Sequence, residues 1–568
     1  MSTHARPLAL WLASASDERL RALFAARGVR PDAAWSDFFD AAEALLEPGS
    51  IDRMLSRLTV DEAIALHGAA DEAPTDGRAA LIDLALLRED GMVHPEVADA
   101  VAARPAPEPS PATPQPPARE SAAAHAAERT FTTVAAVADL LLLARETPLA
   151  LLTGGALSAG EKRRLAETGL STDDLDGLVV IAADAGLLQA ADRRLHATAA
   201  GEEWLRRRAA GRWAVLAEEF RSHLPRALRA DDGGWVPVPS WPTRMPWDAG
   251  WPAASRGLRE RARLLGLVAD DDGEPEWSAS LRRGEPADPA GLRRMLPAEV
   301  DRIFLQNDLS AIAPGPLAPA LDVRLRDIAA RESAAQASSY RFTAESVSHA
   351  LASGETAASI LEFLAGLSLT GIPQPLEYLV TQTAQRHGLV RVSDDPASGR
   401  TRVASTDATL LDAMGVDQSL RPLGLTRDAD GLSSRVGRDT VYWALTDARY
   451  PATIVGDDGR PQIIQRHALP DGAAAPEPSY DGLIADLRAH QGADADAAWL
   501  ERELEAAVRT KALLIVEIEM PDGSTRELQL EASGLGGGRL RGLDRAADVE
   551  RTLPVQSIRS ARLAGTTS

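Results

Sequence analysis

The chain has 568 residues, 45% of them apolar and 25% charged, with no cysteine and a formal net charge of −22. That composition suits a globular protein of several domains. It excludes disulfides, thiolate metal sites and a cysteine nucleophile, and it argues against general nucleic-acid binding while leaving room for one local contact face.

Residues 1–103 are expected to form a helical, winged-helix-like domain. "SDERLRALFAAR" (16–27) opens with a Ser/Asp cap and places Leu20, Leu23 and Phe24 at helical spacing. "SDFFDAAEALL" (36–46), a Glu-Pro-Gly turn and "SIDRMLSRL" (50–58) follow. On the last helix Ile51, Met54, Leu55 and Leu58 form one apolar stripe, with Arg53 and Arg57 on the opposite face. Helix, tight turn and helix with outward arginines outline a helix-turn-helix, which makes this pair a candidate DNA contact. The plainer alternative is two solvated arginines on an amphipathic helix.

Residues 104–127 read as a Pro/Ala-rich linker, because "RPAPEPSPATPQPPARESAAAH" has almost no large apolar residue to bury. Residues 128–230 are expected to be a second winged-helix-like domain. "SAGEKRRLAETG" is a helix, and Ser171 with Asp174 is expected to close a capping box on the next. Leu175, Leu178, Val179 and Ala182 face the core, Gly186 ends that helix, and "LLQAADRRLHATAAG" (187–201) alternates like a hairpin. The second helix turns Asp173, Asp176 and Asp184 outward, so DNA contact here would fall to Lys162, Arg163 and Arg164 or to Arg193 and Arg194 of the wing. Packing against protein is the alternative.

A third winged-helix-like unit is expected over 231–298, with "SRGLRERARLLGL" as a basic helix and "VADDDGEPEWSASL" as a hairpin. Its connector carries Trp235, Trp241, Trp247 and Trp251 among prolines. These rings either anchor a coil to the domain or stack on bases. Residues 299–467 mix strands and helices as one α/β domain. It opens with "FLQNDLSAIAPGPLAPAL" (304–321), where Gln306, Asn307 and Asp308 interrupt a strand pattern. Their ordinary role is to satisfy a strand end and turn, and a contact role is the alternative. A second linker (468–482) leads to residues 483–568, a helix followed by a small β module.

Catalytic signatures are missing. The chain has two lysines, Lys162 and Lys511, and neither follows a glycine, so no phosphate-binding P-loop exists. The histidines show no zinc-site spacing. "GLSLTG" (366–371) has the wrong spacing for a nucleophile elbow, and "GLGGG" (534–538) reads as a hairpin turn. No enzyme activity, cofactor or metal is expected. No run of about 18 apolar residues is free of charge, so no membrane span is expected either. The N-terminus lacks a signal-peptide pattern. A cytoplasmic protein, free or nucleoid-associated, is the expectation.

"VDRIFLQNDLSAIAPGPL", "YRFTAESVSHALASGETAASILEFLAGLS" and "IPQPLEYLVTQTAQRHG" resemble the N-terminal, damage-recognition-like region of XPB-type DNA repair helicases, as found in actinobacterial helicase-associated proteins. The resemblance runs from about 299 to 460. Such helicases continue into two motor domains with Walker motifs, and this chain has none. The resemblance therefore implies association with DNA or a repair complex, not helicase activity. More weakly, residues 512–563 resemble a WYL domain, an SH3-like β module, with Arg551 and Arg559 where that family's arginine strand lies. The Trp-Tyr-Leu triplet is absent, and a structural β cap is the alternative.

The expected protein is thus multidomain α+β, with winged-helix units in its N-terminal half, an XPB-N-terminal-like α/β domain and a WYL-like end. Its expected role is that of a non-catalytic DNA-binding or repair/transcription accessory protein. The alternative is an acidic scaffold for a separate helicase or nuclease subunit.

Overall fold

The computed structural model describes residues 5–70, 78–109, 114–334, 337–396, 398–428, 431–456, 459–464, 478–491, 495–520 and 524–563. These form a multidomain α+β chain built on five hydrophobic cores. No helix among the described residues is long and apolar enough to cross a membrane.

Seven helices make the first body: α1 (Ala5–Ser14), α2 (Asp17–Arg27), α3 (Phe38–Leu46), α4 (Pro48–Leu55), α5 (Val60–Ala70), α6 (Arg78–Asp83) and α7 (Pro95–Ala102). Ser16 caps α2 by accepting from the Arg19 amide, and Gly28 ends it in the left-handed region. The expected Glu-Pro-Gly turn is instead the start of α4. Pro48 takes the first helical position, where its missing N–H would be unpaired in any case. Tyr480, Leu483, Ile484, Leu487 and Trp499, from the far end of the sequence, complete this core.

The second body is organised by α8 (Glu120–Glu146), a 27-residue helix. The Pro/Ala-rich linker therefore does not run to 127. "ESAAAHAA" is helical, and Ala126 and Ala127 are buried. Residues 114–119 are docked as well. The Ala118 amide donates to Glu274 O, the Glu274 amide donates to Pro116 O, and the Gln115 Oε1 accepts from the Val238 amide. Gly273 makes this possible, since a Cβ there would run into the Ala118 backbone. After α8 come β1 (Leu149–Ala150), α9 (Ala159–Glu167), α10 (Leu175–Asp184), β2 (Leu188–Ala191) and β3 (Arg194–Ala197). The sheet order is β1-β3-β2. Asp192 and Arg193 turn the β2–β3 hairpin with φ of 49° and 59°. The Ser171 capping box does not form, because α10 begins only at Leu175 with Asp174 as its uncapped N-cap.

The same core continues through α11 (Ala199–Trp204), α12 (Ala209–Ser222), α13 (Trp251–Leu264), α14 (Ala279–Arg282) and α15 (Pro289–Arg293). So 231–298 is no separate winged-helix unit. The expected hairpin is a turn followed by a 3-10 helix over Glu276–Ser278, and no strand lies in this stretch. The tryptophans are anchors. Trp235, Trp241, Trp247 and Trp251 are all buried. Trp241 Nε1 donates to Val236 O, Trp251 Nε1 to Trp241 O and Trp247 Nε1 to Pro105 O, so these three rings keep their polar atoms satisfied inside the fold.

The expected single α/β domain over 299–467 has two cores. The first takes β4 (Phe304–Leu305), β5 (Ser310–Ala313), α16 (Pro319–Ile328), β6 (Ala330–Ala334), β7 (Ser338–Arg341), α17 (Ala344–Ala352), α18 (Ala357–Leu367) and α19 (Gln374–Arg386), with sheet order β4-β5-β7-β6. Thr343 with Ser346 and Thr356 with Ser359 form reciprocal capping boxes that start α17 and α18. The second takes β8 (Val390–Asp395), β9 (Arg400–Ser405), α20 (Ala408–Val416), β10 (Thr426–Asp428), β11 (Gly431–Ser434), α21 (Arg438–Asp447), β12 (Ala452–Val455) and β13 (Pro461–Gln462). Its sheet runs β10-β11-β9-β8-β12-β13, antiparallel except for the β12–β8 pair.

The C-terminal part holds α22 (Asp481–Ala489), α23 (Ala495–Thr510), β14 (Leu513–Glu519), β15 (Thr525–Gly536), β16 (Arg539–Asp544), β17 (Val549–Pro554) and β18 (Ile558–Leu563). The sheet order is β17-β16-β15-β14-β18. Gly537 and Gly538, at φ of 57° and 69°, turn β15 into β16. Most of the second linker (468–482) lies outside the described residues. Its end, from Asp481, is already the helix α22.

Polar contacts tie the bodies together. Arg226 makes a two-pronged pair with Glu62, at 2.6 and 2.7 Å. Asp139 of α8 accepts from Arg326 Nη1 at 2.6 Å and from Arg331 of the third body. Arg488 of α22 donates to Ala13 O and Ala15 O, and Arg502 of α23 pairs with Asp40 at 3.2 Å.

Candidate nucleic-acid interface

Most of the cations expected to meet DNA are already engaged. Arg57 lies two residues beyond the end of α4, and its Nη1 donates to Ala26 O at 3.2 Å. It closes the carbonyl end of α2 instead of joining Arg53 on one helical face. Lys162 pairs with Asp176 of α10 at 2.7 Å. Arg164 pairs with Glu161, Arg163 donates to Ala159 O, and Arg194 Nη1 donates to Pro148 O at 3.2 Å. In the β module Arg551 pairs at 2.6 Å with the buried Asp544, and Arg559 pairs with Glu519 at 3.0 Å. Arg551 holds the Asp544 carboxyl below the usual carboxylate range. Of the nine expected contacts, Arg53 and Arg193 are the two exposed ones whose side chains make no hydrogen bond or ion pair among the described residues.

The helix α10 is not open either. Gly177 packs against Leu264 of α13. Asp184, expected outward, is half-buried beside that helix, and burial raises its carboxyl pKa although His223 and Arg261 stand nearby. The charged group that α10 leaves exposed is acidic, Asp176, with Asp173 and Asp174 exposed just before it.

The polar insert after β4 is turn chemistry. Ser310 Oγ donates to Gln306 Oε1 at 2.8 Å and to Asp308 Oδ1 at 2.6 Å, and the Ser310 amide donates to Asp308 Oδ1. Leu309 takes the left-handed backbone that closes the turn. The Ser310 hydroxyl keeps the Asp308 carboxyl below its usual range.

A different surface carries unengaged polar groups. Leu376, Val380 and Thr383 bury one face of α19 in the third core against α17 and α18. The complement of that stripe is Gln374, Glu377, Tyr378, Thr381, Gln382, Gln385 and Arg386, all exposed. At offsets of 3, 4, 7, 8, 11 and 12 these seven residues share one helical face. None of their side chains makes a hydrogen bond or ion pair with another described residue.

The β8–β9 hairpin follows at once. Leu411, Met414, Val441, Tyr442 and Leu445, from α20 and α21, cover Val390, Val392 and Val403 on one side of its sheet. Strand alternation puts Arg391, Ser393, Arg400 and Arg402 on the other side, where Arg391 is exposed. The sequence reading missed both surfaces. The signal was available: once the apolar stripe of α19 is written down, five of the seven residues left are amides and hydroxyls in a chain otherwise rich in charge.

A family model described as the helicase conserved C-terminal domain matches residues 303–429. That stretch runs from the strand β4 into the end of β10 and contains α19 and the β8–β9 hairpin. It is less than a quarter of the chain. By its description the match is to a C-terminal helicase domain and not to the N-terminal region of the expected XPB type. No curated protein matches the chain. This part of the protein is therefore helicase-related.

Proposed function

We propose that this chain is a non-catalytic DNA-binding accessory protein that works beside a helicase. The observation that carries the reading is the helicase-family match over 303–429, the stretch that also holds the open polar face of α19. The finer readings belong here too. The order α8–β1–α9–α10–β2–β3, with its three-stranded sheet, supports a winged-helix unit after residue 120. In that unit α10 is acidic and packed on α13, so the unit serves mainly as a protein-packing module. The β17-β16-β15-β14-β18 order, with a 3-10 turn between its last two strands, supports an SH3-like module of the WYL kind. The pairing of Arg551 and Arg559 leaves Arg526, Arg539 and Arg541 as its exposed cations with no ion pair among the described residues.

Two features support the absence of a motor. No Gly-Lys-Ser/Thr loop occurs, so nothing can cradle a triphosphate as a P-loop does. Among the described residues, every strand pair with both members inside 303–429 is antiparallel, and the parallel β8–β12 pair reaches outside that stretch, whereas nucleotide-binding α/β folds place phosphates at the ends of parallel strands. The test is direct. The purified full chain is titrated with single-stranded, duplex and forked DNA, and nucleotide hydrolysis is followed in the same samples. Saturable DNA binding with no hydrolysis is expected. A DNA-stimulated hydrolysis that survives stringent purification would overturn the non-catalytic reading. Silence toward all three DNAs would hand the case to the acidic scaffold.

A further inference from the structure

We propose that the outward face of α19 reads base edges in the major groove of duplex DNA. This rests on the DNA-binding reading above and adds the surface, the form of DNA and the mode of contact.

The helix is built for such a role. α18 and α19 are joined by residues 368–373, and both are fixed in one core by Ile360, Leu364, Leu367, Leu376 and Val380. A groove-reading helix has to be held rigidly by a partner helix behind it. At 13 residues α19 is about 20 Å long, and a helix ~10–12 Å across fits a major groove ~12 Å wide.

The chemistry of the open face fits bases better than it fits water. Solvated helix faces are usually charged, and this chain is a quarter charged overall. Yet five of the seven outward residues are uncharged: Gln374, Tyr378, Thr381, Gln382 and Gln385. A glutamine amide presents a donor and an acceptor side by side, which matches the N6 and N7 edge of adenine. Tyr378, 64% exposed, offers a ring to a thymine methyl or a sugar.

Charge agrees with the choice of occupant. The single acid of the face, Glu377, lies in the first turn, and Arg386 lies in the last. Arg391, exposed and unpaired, follows on β8. By contrast α10, the other helix in a comparable position, exposes aspartates and is covered by α13. In a chain of net charge −22, the α19 face offers a polyanion five uncharged polar side chains, one acid and one arginine, with Arg391 of β8 just beyond it.

The test uses the full chain and a duplex pool with a randomised core, selected at about 50 mM salt. The parent is expected to enrich a preferred sequence. Gln382→Ala with Gln385→Ala should keep the parent's melting temperature and salt slope. It should lose discrimination for the preferred sequence by roughly 5- to 150-fold for each bidentate contact removed. Arg386→Ala should keep the preference and lower the salt slope by about one unit. The proposal is overturned if the parent binds duplex but selects no sequence. It is also overturned if the double glutamine variant selects the same sequence as strongly as the parent, or weakens all duplexes equally. In those cases the DNA-binding reading survives. If the parent binds no DNA at low salt, that reading falls with it.

Discussion

Replacing Asp139 by alanine removes the acid that joins the second body to the third. Its carboxylate accepts from Arg326 Nη1 at 2.6 Å and from Arg331, and all three side chains are 16–18% exposed. Removing one partner of a buried pair costs about 3–5 kcal/mol, because the charge left behind is desolvated and unpaired. Partial exposure, and Asp322 at 3.9 Å from Arg326, reduce this to about 2–3 kcal/mol for Asp139→Ala. Urea unfolding followed by tryptophan fluorescence suits the measurement, since Trp204, Trp213, Trp235, Trp241, Trp251 and Trp277 all lie in the second core. With a slope of ~3 kcal/mol/M the midpoint should fall by about 1 M. Changing Arg326 and Arg331 to leucine in the same background should recover part of the loss, because neither guanidinium is left stranded and Asp322, which loses Arg326, keeps its hydrogen bond from Tyr340. A midpoint shift below ~0.2 M, or no recovery in the leucine variant, would refute the claim that this network holds the two bodies together.

Three further outcomes are expected. Gly273→Ala should push residues 114–119 off their dock, breaking the two backbone hydrogen bonds between Pro116, Ala118 and Glu274. Limited proteolysis should then cut within 114–119, which the parent protects, with the rest of the chain intact. Arg57→Ala should cost about 0.5–1.5 kcal/mol, as one hydrogen bond to a helix-end carbonyl is lost, and should leave the DNA salt slope unchanged; a slope lower by about one unit would restore Arg57 as a phosphate contact. Burial holds His387, just after α19, below the usual imidazole range. The unfolded chain therefore binds this proton from about pH 6.5 downward while the native chain does not, so stability is lost as pH falls below that point. His387→Asn should flatten this part of a melting-temperature profile, and an identical acid limb in both proteins would argue against it.

What the sequence revealed was local. The Ser16 cap, the stripe of Ile51, Met54, Leu55 and Leu58, the hairpins at 187–197 and 534–539, and the helices α17 to α19 follow from caps, periodicity and glycine positions within a few residues of each other. What it concealed depends on distant partners. The Pro-rich stretch reads as a linker because nothing local could bury it, yet Gly273 and Glu274, about 155 residues away, give it a dock. Arg57 reads as outward because its helix is amphipathic, but the open carbonyl end of α2 takes the guanidinium. The turn after Val268 reads as a hairpin because Asp-Gly favours one. It is diverted by Trp277, whose Nε1 donates to Gly266 O and pulls the following residues into the core. The closure of the first core by α22 and α23 has no signal in either segment alone. The α19 face was readable, but only as the remainder left once the buried positions were known.

The most direct test of the central claim is an anisotropy titration of a labelled duplex with the full chain, repeated from about 50 to 200 mM salt. The account predicts saturable binding whose logarithm falls linearly with the logarithm of salt, with a shallow slope of only a few units, because few free arginines face the DNA. Absence of binding at 50 mM salt would contradict the claim that this chain is a DNA-binding protein at all.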